Sequence, residues 1–96
     1  MTEEKVWRLK LYVADESPIC LNASTNLRRL CEERLKGKCE VEVIDIIKNP
    51  QVASDEQIVA IPTLVKLFPL PMRRFIGDLS NTERVLTGLD IRDDQL

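Results

Sequence analysis

Ile61-Pro62-Thr63-Leu64-Val65-Lys66-Leu67-Phe68 and, beyond Pro69-Leu70-Pro71-Met72, Arg73-Arg74-Phe75-Ile76-Gly77-Asp78-Leu79-Ser80 decide how this chain folds. An apolar residue and a proline open a strand over 63–68. A second strand over 73–76 stops at Gly77, and the prolines between them suit an edge or a turn and would break a central ladder. The pair reads as an antiparallel hairpin. Ser80-Asn81-Thr82-Glu83 then has the form of a capping box, Ser at the cap and Glu three residues on, leading into Val85, Leu86 and Leu89 on one helical face.

Working outward toward the N-terminus, Asn49-Pro50 supplies a cap and a first-turn proline for a short helix through about Gln57. That helix has only Val52, Ala53 and Ile58 to bury, so its helical state depends on tertiary contacts rather than propensity. Val41 to Ile47 is a β-branched run broken by Glu42 and Asp45, the composition of a mostly covered strand. Upstream, Trp7, Leu9, Leu11 and Val13 alternate with Arg8, Lys10 and Tyr12, as in a strand with one buried face. Between these two strands, Ser17 and Pro18 start a helix that carries Cys20, Ala23, Leu27, Leu30, Cys31 and Leu35 mostly at three- and four-residue steps and stops at Gly37. Cys20 and Cys31 fall on its apolar stripe, the usual setting of a small buried hydrophobe. Strand, helix and strand in that order make a parallel, right-handed crossover.

The sum is an α/β fold in the order β-α-β-α-β-β-α, that of a thioredoxin-like domain, expected as a single domain over 1–96. A redox thioredoxin carries Cys-x-x-Cys at the start of its first helix, and here that stretch reads Ser17-Pro18-Ile19-Cys20. The scaffold without the dithiol points to binding rather than catalysis. Composition agrees: 96 residues hold one core, and 44% hydrophobic with 31% charged residues is the makeup of an ordinary globular protein. A net charge of −2 argues against nucleic-acid binding. No leader and no apolar run approaching the ~20 residues of a membrane span is present, so no membrane partner and a cytoplasmic location are expected. Histidine is absent and the three cysteines match no zinc or disulfide spacing, so no catalytic residue, metal ligand or cofactor is assigned.

Seven blocks carry a closer resemblance: Leu9-Lys10-Leu11-Tyr12-Val13-Ala14, Val43-Ile44-Asp45, Lys48-Asn49-Pro50-Gln51, Pro62-Thr63-Leu64, Arg73-Arg74, Ile76-Gly77-Asp78-Leu79-Ser80 and Val85-Leu86-x-Gly88-Leu89-Asp90. In this order they resemble the KaiB family of bacterial circadian-clock proteins. The resemblance implies a non-enzymatic regulator with two folds of one sequence. One is a resting homo-oligomer, a dimer of dimers, in the order β-α-β-β-α-α-β. The other is a thioredoxin-like monomer that docks on the ring-shaped ATPase KaiC. Such fold switching needs two packings separated by a few kcal/mol, which a partner of unequal affinity can tip. KaiB-like chains also work outside oscillators, with KaiC-like RecA-type ATPases in stress adaptation or as sensor domains of histidine kinases. This chain departs from the family's pattern in the charged stretch Asp15-Glu16-Ser17-Pro18-Ile19-Cys20 and in a short tail after Asp90.

The resemblance marks Gly88 and Asp90 as positions that bias toward the resting fold; by residue type alone they end the last helix. It also implies a cis Ile61-Pro62 bond in the thioredoxin-like state and a trans one at rest, against an ordinary trans proline opening an edge strand. Lys66, Arg73 and Arg74 fall on the hairpin and resemble basic positions of the family, while Lys48 sits at the strand-to-helix junction. They form a candidate surface for partner binding or assembly, with a solvated hairpin face as the alternative. The competing function is a thioredoxin-like thiol-disulfide protein using Cys20 alone, activated at a helix N-terminus.

Overall fold

A computed structural model describes residues 6–14, 17–36 and 38–89. β1 (Trp7–Val13) follows the alternation of its sequence, with Trp7, Leu9, Leu11 and Val13 buried on the face toward α1 (Pro18–Arg34). Cys20, Ala23, Leu27, Leu30 and Cys31 form the buried stripe of α1, in which Leu27 and Leu30 contribute about 1.5–3 kcal/mol each when fully removed from water. Ser17 stands at the N-cap, as expected, but its side chain makes no capping hydrogen bond. The helix ends with Leu35 at the C-cap and Lys36 in the left-handed region at φ 51. The expected stop at Gly37 lies outside the described residues.

β2 (Cys39–Asp45) runs parallel to β1 in the register Trp7 opposite Cys39 through Val13 opposite Asp45, which makes the expected crossover. It begins and ends two residues earlier than the β-branched run and is not mostly covered. The sheet order is β2-β1-β3-β4, so β2 is an edge strand, and Val41 and Val43 are exposed. Its composition reflects strand propensity rather than burial on both faces. α2 (Pro50–Asp55) buries no residue completely, and its Asn49 N-cap makes no side-chain capping bond. It closes two residues short of Gln57, which takes φ 55.

β3 (Thr63–Phe68) lies between β1 and β4 (Arg73–Ile76) and is antiparallel to both. Its central place explains why Thr63, Leu64, Val65 and Lys66 are all buried. α3 (Thr82–Gly88) is capped by Asn81, whose Oδ1 accepts from the Arg84 amide, and not by Ser80. The capping box is displaced because Ser80 is engaged upstream: its amide donates to Asp78 Oδ1 at 3.0 Å. Between them Leu79 holds φ 64 with its side chain buried at 8% exposure, a left-handed backbone that packing must hold in place. The order β-α-β-α-β-β-α stands as read.

Candidate functional site

In a redox thioredoxin-like domain the chemistry would sit at the start of α1. Here Cys20, on the buried stripe, is 3% exposed, and its thiol points to the Ala14 carbonyl at 3.9 Å. It is packed as a core side chain, with no second cysteine in the same turn. The Ile61–Pro62 peptide bond is cis, as are Phe68–Pro69 and Leu70–Pro71.

The basic residues separate into distinct roles. Arg74 is on the exposed strand β4, yet its guanidinium is engaged: Nη2 donates to the Glu56 carbonyl at 2.8 Å and Nη1 to the Gln57 carbonyl at 3.1 Å. These are carbonyls at the C-terminal end of α2, where a cation also faces the negative end of the helix. Arg73, opposite Lys66 in the ladder, is exposed. Lys66 is fully buried and is therefore not a solvated hairpin charge. Lys48 is exposed in the turn after β2, the edge strand opposite to β4. The hairpin thus brings Lys66, Arg73 and Arg74 together, and of these Arg73 presents its charge outward. Asp90 lies outside the described residues.

Beside Arg73 an open groove of about 870 Å³ runs between β4 and α3, lined by Phe75, Asp78, Glu83, Arg84 and Gly88 among others. Hydrogen bonds from the Ser80 hydroxyl and amide hold the Asp78 carboxyl below the usual carboxylate range. Gly88 sits against Phe75, and a Cβ placed on it would overlap ring atoms Cε1 and Cζ. On the opposite face of the sheet, Tyr12 is buried and its phenol is pushed up, first by that burial and then by Glu56 and Glu42, with Arg74 opposing. The Arg74 contacts with α2 and the Phe75–Gly88 approach escaped the sequence reading. Neither leaves a trace in periodicity, because each joins residues from different elements.

No metal-binding group of three His, Cys, Asp or Glu side chains, and no helix long and apolar enough to cross a membrane, occurs among the described residues. An α/β scaffold with a sequestered Cys20 and no second cysteine in the same turn has the thioredoxin-like fold without its dithiol. Solved structures bear out the fold. Chloroplastic thioredoxin z matches with a TM-score of 0.72 at 22% identity, over 91% of this chain and 80% of its own. The N-terminal domain of Synechococcus elongatus SasA matches with a TM-score of 0.71 at 20% identity, over 97% of this chain and 91% of its own. The family follows from sequence: the KaiB domain model matches residues 10–91, and the chain belongs to the KaiB family. The circadian clock oscillator protein KaiB of Synechococcus sp. strain CC9311 is 49% identical over 96 residues, covering all of this chain and 81% of the relative. Its counterpart in Parasynechococcus marenigrum strain WH8102 is 48% identical, again over the whole chain and over 92% of the relative.

Proposed function

We propose that this chain is a non-enzymatic regulatory binding protein that docks on a KaiC-like RecA-type ATPase, in clock timing or stress adaptation, and that docking selects the thioredoxin-like fold over a resting homo-oligomer. The observation that carries this reading is membership of the KaiB family over residues 10–91. Two structural features support it. Cys20 is packed away rather than presented for thiol chemistry. The segment after Asn49 is also weakly fixed locally, since α2 is six residues long, uncapped by a side chain and without a fully buried residue. An isolated helix that short does not hold in water, so its state depends on what packs against it. Residues that change fold must have such divided preferences.

Arg73 forms the outward-facing part of the docking surface on the hairpin, Lys48 offers a second exposed charge at the far edge of the sheet, and Arg74 serves the surface by holding α2 to the hairpin. A histidine kinase is the alternative partner, and the cytoplasm the expected place of action. The test is co-purification of the full chain with a KaiC-like ATPase, monitored by light scattering. An oligomer that gives way to an ATPase-bound monomer supports the reading. A chain that stays in one size class and elutes apart from the ATPase overturns it. Arg73→Glu should weaken capture at least about tenfold, as expected for reversing a charge at an interface, while circular dichroism of the variant stays that of the parent. Undiminished capture removes Arg73 from the surface.

A further inference from the structure

The two cysteines other than Cys20 meet where α1 gives way to β2. Cys31 lies on the buried stripe in the last turn of α1. Cys39 opens β2 opposite Trp7, and packs half-buried against the core cluster that contains Cys31. The connection between them is held tightly: the Lys38 amide donates to the Leu35 carbonyl at 2.8 Å and the Trp7 amide to the Lys38 carbonyl at 3.0 Å. The two thiols, both free, lie close enough that each shifts the ionisation of the other. Cys20 cannot join them. Eleven residues earlier on the same helix, it is roughly 16 Å away at the helical rise per residue.

We propose that Cys31 and Cys39 are an oxidation site, a dithiol that hydrogen peroxide converts into an intramolecular disulfide. Cys39, the more open of the two, is the sulfur the oxidant reaches. Its thiolate attacks the peroxide, the O–O bond breaks, and the departing hydroxide takes up a proton to leave as water. Cys39 is then a sulfenic acid. The Cys31 sulfur attacks it, the S–O bond breaks, and the Cys31 proton leaves with the oxygen as a second water. Two thiols and one hydrogen peroxide thus give one disulfide, two electrons passing from sulfur to oxygen. Burial pushes both thiols up, and their mutual interaction raises Cys31 further while pulling Cys39 back, which leaves Cys39 the first to ionise. Raised thiols react slowly, so the site answers sustained oxidant rather than brief exposure. The site lies in the β1-α1-β2 crossover and is independent of the docking reading.

The full chain is held overnight with excess hydrogen peroxide, alkylated with iodoacetamide in denaturant and digested with trypsin. Alkylatable thiols should fall from three to one, and the peptide Leu30–Arg34 should be recovered linked to Cys39–Lys48, lighter by two hydrogen atoms. Cys39→Ser should abolish the linkage, and Cys31→Ser should leave a Cys39 sulfenic acid that dimedone captures. If either variant fails to fold, the linkage map of the parent chain decides alone. Three alkylatable thiols retained, a linkage through Cys20 or between chains, or over-oxidised Cys39 without a linked peptide would each overturn the proposal.

Discussion

At Gly88 two preferences oppose one another. Alanine is favoured over glycine in a helix by about 1 kcal/mol, but in this packing its methyl would enter the ring of Phe75, and overpacking costs about 1–3 kcal/mol. The steric term wins. Gly88→Ala should therefore lower the stability of the thioredoxin-like packing by about 1 kcal/mol, from these opposing contributions, an outcome opposite to the resting-fold bias that the family resemblance attaches to Gly88. In a Phe75→Ala background the same change should become neutral or stabilising. Urea denaturation of the four members of the cycle measures the coupling, and additive effects would dissociate Gly88 from Phe75. The same scale separates Arg73 from Arg74, adjacent in sequence and identical in type. One guanidinium faces outward, and the other is spent on the carbonyls of Glu56 and Gln57. No sequence rule distinguishes them, because the difference lies in where α2 ends.

Among the elements, α2 has the least to hold it. Its internal bonds include Glu56 N–H to the Val52 carbonyl and Ile58 N–H to the Ala53 carbonyl, each at 2.9 Å, and Arg74 ties its C-terminal end to the hairpin. Amides of Val52 to Ile58 should exchange with deuterium at least about a hundredfold faster than those of Leu27 and Leu30 in the packed middle of α1, since local opening draws on the least buried segments first. Equal protection would contradict the view that this segment is weakly fixed. Element types and order were legible because periodicity marks them: Trp7 to Val13 at period two, Cys20 to Leu35 at helical steps, and the prolines between β3 and β4. What stayed hidden depended on neighbours. The β-branched run of β2 looks the same at a sheet edge as in its middle, and Ser80 looked like a cap until its amide proved to be taken by Asp78. For the candidate site, the basic positions were legible, but not which of them is buried, structural or outward-facing.

Over the whole molecule, beside the β1–β3 ladder, two long-range side-chain bonds among the described residues join the C-terminal elements to the N-terminal crossover. Trp7 Nε1 donates to the Leu89 carbonyl and Asn26 Nδ2 to the Asp78 carbonyl, each at 2.7 Å. Trp7→Phe keeps an aromatic side chain but leaves the buried Leu89 carbonyl without its donor, which should cost about 1–3 kcal/mol. Denaturation followed by far-ultraviolet circular dichroism measures this, and a midpoint unchanged from the parent would show the bond to be dispensable. A rearrangement that moves Asp78 and Leu89 away from the crossover has to release both ties, so their loss should favour such a packing.

The open border formed by β2 also bears on how copies of the protein behave when crowded. Unsatisfied backbone groups along an uncovered strand invite pairing between molecules, the more so where valines are exposed. Glu42 alternates with the valines, while the charge of Glu40 is met by Arg8 at 3.3 Å, so two such borders brought side by side would add the Glu42 carboxylates to the seam. Electrostatic repulsion thereby acts as a guard against runaway fibre growth while leaving the strand accessible to a chain of opposite sign.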